Sequence, residues 1–160
     1  MKTLVVYDSV FGNTEQIARA IGSALGSAED VRVLRVTEVQ PGQLVGLDLL
    51  IAGSPTRGFR PTPAITNWLK SLPAGSLRGI RVAAFDTRIS MADPGIPGFL
   101  RFMVRIFGYA AQPIAKRLVR KSGQLAVPPE GFIVNASEGP LREGELERAA
   151  AWARQVLATR

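Results

Sequence analysis

The stretch Val5–Ile21, "VVYDSVFGNTEQIARAI", decides how the rest of the chain is read. An apolar run stops at Asp8, small and hydroxyl-bearing residues crowd around Gly12, and an amphipathic helical pattern follows at once. A strand-to-helix turn needs one such residue, whereas Ser9, Gly12, Asn13 and Thr14 supply four. Gly12 lets the backbone turn sharply and approach a ligand closely. Asn13 and Thr14 stand at the start of the helix, where free amides and the positive end of the dipole favour an anion. The hydroxyls of Ser9 and Thr14 and the Asn13 amide are further candidate donors. No lysine or arginine lies in the loop, so a phosphate there is held by neutral groups. The stretch reads as an anion-binding turn in preference to a capped turn that binds nothing.

Outward from this turn, strands alternate with helices. Thr3–Tyr7 is a short run without polar alternation, as in a strand covered on both faces. Ile17, Ala18, Ile21 and Leu25 form a helical stripe that Gly26 ends. Val31–Val36 alternates and suits an edge strand, Asp48–Gly53 is a buried strand, and Ile80–Asp86 is the next. Pro63–Leu72 is a helix with proline near its first turn. Gly98–Lys121 reads as two helices broken near Pro113, the second opening with that proline. Gln124–Val127 and Gly131–Asn135 read as two halves of one interrupted strand, and Arg142–Leu157 as a closing amphipathic helix. No internal repeat or linker interrupts this order, so the expectation is one domain built on an open parallel sheet with helices on both faces. Ligands in such sheets sit beyond the carboxyl ends of the strands, where strand order reverses. The loops of interest are therefore Asp8–Thr14, Ser54–Pro63 and Asp86–Pro97.

Composition narrows the chemistry. The 160 residues include no cysteine and no histidine, which removes disulfides, thiolates, the usual zinc ligands and every Ser-His or Cys-His pairing. An enzyme of this composition draws its reactive atoms from a cofactor. The opening apolar run is too short for a signal-peptide core, and the cytoplasm is the expected location. The net charge is +7, and it is unevenly placed. No acidic residue occurs from Pro94 to Pro129, where Arg101, Arg105, Lys116, Arg117, Arg120 and Lys121 all fall. Such a surface suits an anionic partner: a membrane, a nucleic acid or an acidic protein. Neither G-x-G-x-x-G nor G-x-x-x-x-G-K-[ST] is present. A response-regulator receiver needs an aspartate ending its third strand, and that strand ends Ala52-Gly53-Ser54 here.

"YDSVFGNTEQIA" resembles the flavin-phosphate loop of flavodoxins, and "GSPTRGF" (Gly53–Phe59) is similar to the second flavin-contacting loop of flavodoxin-like quinone reductases. "FDTRIS", "FGYAAQPIAKRL", "PPEGFIVN" and "EGPLREGELERA" resemble later segments of small flavodoxin-family proteins, so the resemblance covers almost the whole chain. It implies a flavodoxin-like fold: a doubly wound five-stranded parallel sheet of order 2-1-3-4-5 in a three-layer sandwich, with FMN at the junction of strands one and three. Carried over residue by residue, Ser9, Val10, Phe11, Gly12, Asn13 and Thr14 form the phosphate loop. Pro55, Thr56, Arg57, Gly58 and Phe59 run along the isoalloxazine, with the Gly58 carbonyl near flavin N5. Asp86, Thr87 and Arg88 open the loop on its other side. The implied partners are a redox protein or a quinone, with no nucleic acid.

The chain departs from the family pattern at several points. Phe11 stands where many flavodoxins have a hydroxyl residue. Phe59 is the only aromatic in Ser54–Pro63 and Asp86–Pro97, and a strongly basic chain replaces the acidic character of electron-shuttling flavodoxins. A flavodoxin-fold binding module without cofactor, and a quinone-linked flavoenzyme at a membrane surface, are therefore the alternatives to an FMN-binding electron carrier or reductase. Asp86 reads either as a ligand residue or as a buried strand-end cap, and Trp68 and Trp152 read as core. Around Arg101 and Arg105 lie Phe99, Leu100, Phe102, Met103, Val104, Ile106, Phe107 and Tyr109, an apolar arc wider than one packed face needs. The expectation for Phe99–Lys121 is a helix buried on the sheet or in a homodimer, ahead of an anionic membrane surface.

Overall fold

A computed structural model describes residues 1–159. Its sheet is built from β1 (Thr3–Tyr7), β2 (Val31–Arg35), β3 (Leu49–Pro55), β4 (Arg81–Ile89), β5 (Gln124–Leu125) and β6 (Glu130–Val134). The order is β2-β1-β3-β4-β5, all pairings are parallel, and β6 also pairs with β4. β5 runs beside Arg81 and Val82, and β6 beside Phe85–Ile89, so the two are halves of one interrupted edge strand, as expected. The helices are α1 (Asn13–Leu25), α2 (Pro63–Ser71), α3 (Gly98–Phe107), α4 (Ala111–Arg120) and α5 (Glu145–Ala158). Among the described residues no helix is long and apolar enough to cross a membrane.

Successive strand residues point to opposite faces, and this alternation builds two cores. Leu4, Val6, Leu50, Ala52, Val82 and Ala84 meet α2 and α4 on one face. Val5, Tyr7, Leu49, Ile51, Ala83 and Phe85 meet α1 and α5 on the other. Trp68 is half-buried against the first core, and Trp152 is buried in the second. There Phe85, Phe132 and Trp152 form a closed triangle of edge-to-face rings with centroids 6.1–6.2 Å apart. These contacts lock the Phe85 ring over the backbone of Gly53, at the end of β3.

Three expectations need correction. β4 continues three residues past Asp86, so Asp86, Thr87 and Arg88 are strand residues beside β6 and do not open a loop. The break between α3 and α4 lies at Gly108, whose φ of 73° ends α3, and not at Pro113. Pro113 sits in the first turn of α4, where its missing amide costs no helical bond. Finally, α3 is not wedged on the sheet. None of its residues is buried, and Phe99, Phe102, Ile106 and Phe107 are each more than half exposed.

A Cβ on Gly53 would lie 2.1 Å from Phe85 Cζ. Because that ring is held by Phe132 and Trp152, Gly53→Ala should cost about 1–3 kcal/mol by overpacking. A lowered urea midpoint with an unchanged m-value checks this.

Candidate functional site

The carboxyl ends of β1, β3 and β4 open on a cleft of ≈ 270 Å³. Three loops and one strand end wall it: Ser9, Val10, Phe11, Asn13 and Thr14 from the first loop, Pro55, Thr56, Arg57 and Gly58 from the second, and Thr87, Arg88 and Ile89 from β4. Val134 and Ser137, which follow from β6, complete it. Eleven of the fourteen residues expected from the sequence resemblance thus line one cleft. Gly12 lies within the first loop but not on the wall, Phe59 faces a neighbouring groove, and Asp86 lies beneath the floor.

The first loop is ordered by its own polar groups. Ser9 Oγ accepts hydrogen bonds from the amides of Gly12 (3.1 Å) and Glu15 (3.4 Å). Asn13 Nδ2 donates to the Glu138 carbonyl at 3.1 Å, tying α1 to the loop after β6. Thr14 Oγ1 and Thr87 Oγ1 lie 2.8 Å apart, so one hydroxyl donates to the other and the second keeps its proton for another acceptor. The side chains that the sequence offers as donors are therefore mostly engaged internally. The amides of Val10, Phe11, Asn13 and Thr14, in contrast, donate to no group among the described residues. Asn13 and Thr14 are buried at the N-terminus of α1, where unpaired amides and the helix dipole act together on an anion. Gly12 has φ of 92°, and no atom lies within 4 Å of where its Cβ would stand.

Arg35, which no motif singles out, steadies the loop from β2. It donates to the Ser9 carbonyl (2.9 Å) and to Asp8 Oδ1 (3.3 Å), and its guanidinium lies over the Tyr7 ring at 5.3 Å. Tyr7 in turn donates to Glu15 at 2.5 Å. That hydrogen bond is the main cause holding the Glu15 carboxyl below its ordinary range. Ser137 and Val134 were also missed. They follow the last strand at the same sheet end, so the strand-end rule applied to β6 would have found them.

The second loop is a tight hairpin. Arg57 and Arg60 exchange backbone hydrogen bonds of 2.8 and 3.1 Å around Gly58 and Phe59, whose φ values are 55° and 67°. Both central residues are left-handed, the conformation of a two-residue turn that favours glycine. For Phe59 it costs about 1–2 kcal/mol, and packing against Phe107 at a centroid distance of 5.8 Å offsets it. Arg57 reaches over the Phe11 ring at 5.5 Å, bridging the two loops at the cleft mouth.

Asp86 is fully buried and bound by the Arg88 fork through Nε and Nη2, each at 2.7 Å. Its Oδ2 also accepts from the Ala111 amide at 2.9 Å, and Thr56 Oγ1 accepts from Ala110 at 3.1 Å. The start of α4 is thus capped by one strand residue and one residue of the second loop. Burial pushes the Asp86 carboxyl above the usual aspartate range, and Arg88 and the Ala111 amide pull against it. Tyr109 stacks on the Arg88 guanidinium at 3.6 Å. Asp86 is thus buried as expected of a cap, but it lies within β4 and caps the start of α4, not a strand end.

The strand order, with a cleft at the carboxyl ends of β1, β3 and β4, defines a doubly wound class of fold. The family model for flavodoxin matches residues 5–152, and the chain belongs to the flavodoxin family. Solved structures of similar fold include a flavodoxin from the domain Archaea, at TM-score 0.75 and 21% identity, covering 99% of this chain and 97% of that one. Flavodoxin 1 from Bacillus cereus follows at TM-score 0.75 and 16% identity, over 99% and 98% of the two chains. A WrbA-like flavodoxin from Agrobacterium tumefaciens gives TM-score 0.70 at 16% identity, over 98% and 96%. At these identities the likeness concerns the fold. No curated protein matches the chain.

Removing the Asp86 carboxylate leaves Arg88 and the head of α4 without their partner. Asp86→Ala should cost about 3 kcal/mol, the lower end for a broken buried pair because Arg88 has a route to solvent. Asp86→Asn, which keeps an acceptor for Ala111, should cost less. Urea titration of both variants checks the order.

Proposed function

We propose that this protein binds FMN in the cleft between the three strand ends and works as a redox protein, exchanging electrons with a protein partner or a small acceptor. The observation that carries this reading is the set of four unpartnered amides in the first loop and at the start of α1, beside a hydroxyl pair that retains a free proton. They offer a phosphate dianion neutral donors, helix dipole included, without a lysine. A flavin held there supplies one- and two-electron chemistry. The amides of Val10, Phe11, Asn13 and Thr14 would hold its phosphate, and Pro55–Gly58 and Thr87–Ile89, which line the rest of the cleft, would hold the ring. No carboxylate lines the cleft, and Arg88 is neutralised by Asp86, which leaves Arg57 as the unpaired cation on the wall. Its charge favours an anionic reduced ring, an effect screened by salt because Arg57 is exposed.

FMN should bind at least about 100-fold more tightly than riboflavin, since two or more charge-assisted hydrogen bonds are lost with the phosphate. Gly12→Val should abolish FMN binding yet leave a folded chain, because a branched residue at positive φ distorts the loop alone. Flavin fluorescence quenching measures both. Equal affinities for FMN and riboflavin would sink the assignment and favour a cofactor-free binding module.

The exposure of α3 favours a second reading of location: attachment to an anionic bilayer. Phe99, Leu100, Phe102, Ile106 and Phe107 stand in solvent beside Arg101 and Arg105, with Lys116, Arg120 and Lys121 on the next helix. A second copy of α3 would bring arginines against arginines with no carboxylate between them, whereas anionic headgroups complement them. The protein should cosediment with anionic vesicles at low salt and release as salt rises, with little binding to neutral ones. Phe102→Asp should weaken association by about tenfold or more, from the apolar burial lost, without unfolding. Absence of vesicle binding, or a dimer in sedimentation, would defeat this reading.

A further inference from the structure

A second cavity of ≈ 640 Å³ lies beside the cofactor cleft, and Gly58 lines both. Its walls come from the second loop, α2, α4 and the last residue of α3. Phe59 and Phe107, with rings tilted 31° to each other, and the faces of Pro61, Pro63 and Pro113 make it apolar. Arg60, Lys70 and Arg117 also line it, and no carboxylate does. A smaller cavity of ≈ 220 Å³ continues past Lys70 and Arg117 to Arg120 and Lys121.

Most of the chain's cations form no ion pair among the described residues, and this groove is set apart by gathering several of them on walls that carry no carboxylate. Arg19, Arg35, Arg88, Arg142 and Arg148 each lie within 4.0 Å of a carboxylate. Arg60, Lys70, Arg117, Arg120 and Lys121 form no ion pair among the described residues. Five like charges gathered along one groove repel one another, and a bound anion relieves that repulsion. The volume is that of a small-molecule site rather than a macromolecular face.

We propose that this groove binds a small amphipathic organic dianion, an apolar ring system with two carboxylates. The rings lie against the apolar wall formed by Phe59, Phe107 and the prolines, and the carboxylates meet Arg60, Lys70 and Arg117. The anion site stands on its own geometry. Its meaning as the substrate site of a flavoprotein rests on the FMN reading, through the shared wall at Gly58.

Naphthalene dicarboxylate is a suitable probe, titrated by its fluorescence against the matched neutral naphthalene dimethanol, with and without FMN. The dicarboxylate should bind at least about tenfold more tightly at low salt. Lys70→Glu with Arg117→Glu should remove that preference while leaving FMN affinity unchanged. Lys70→Gln alone should reduce it, which guards against misfolding of the double variant. Saturating dicarboxylate should also shift the spectrum of bound FMN. Equal binding of diacid and diol, or a preference untouched by these substitutions, overturns the proposal. If FMN fails to bind while the diacid preference persists, the cofactor reading falls and the groove stands.

Discussion

The arrangement turns on how the fold satisfies two helix N-termini that face the same end of one sheet. A helix leaves its first amides without partners, and burying them is costly unless something accepts them. At α4 the sheet and the second loop provide acceptors, with Asp86 taking the Ala111 amide and Thr56 the Ala110 amide. Asp86 is itself a buried charge, tolerable because Arg88 grips both its oxygens. At α1 the chain takes the opposite course. Ser9 Oγ serves Gly12 and Glu15, and the amides between and around them are left open. One terminus is sealed and the other presented, and the cleft lies at the presented one.

The Asp86 pair also sets the electrostatics of that cleft. Were Arg88 unpaired, two free cations would flank it; pairing leaves Arg57 alone on the mouth. Arg35, too, contributes little net charge, being held by Asp8 and the Ser9 carbonyl. The positive surplus of the chain therefore lies outside the cleft, with a concentration along α3, α4 and the groove. A partner approaching this surface is selected by its negative charge, and its association must weaken as salt rises.

Much of this was legible because local chemistry and tertiary environment agree. β1 is apolar without alternation since both faces are covered, and the stripe Ile17, Ala18, Ile21 and Leu25 does lie against the sheet. Legibility failed where a residue's partner is distant in sequence. Nothing near Asp86 reveals that the Ala111 amide, 25 residues on, donates to it, nor that β4 runs on beside β6. The engagement of Thr14 by Thr87, 73 residues away, and of Asn13 by Glu138, 125 residues away, was equally hidden. A donor-rich loop read from sequence thus overstated the side chains and understated the backbone. The width of the apolar arc in α3 was visible, but an exposed arc and a buried one have the same sequence pattern.

Phe59 joins these regions mechanically. A phenylalanine at positive φ is held only where packing compensates it, and its compensation is the Phe107 ring at the end of α3. The second loop therefore does not hold its shape alone; its hairpin depends on where α3 ends. Since α3 has no buried residue of its own, this contact is one of the few constraints on its position. A displacement of α3 would therefore remove the contact that offsets the strain of Phe59, next to Gly58, the residue that lines both the cleft and the basic groove.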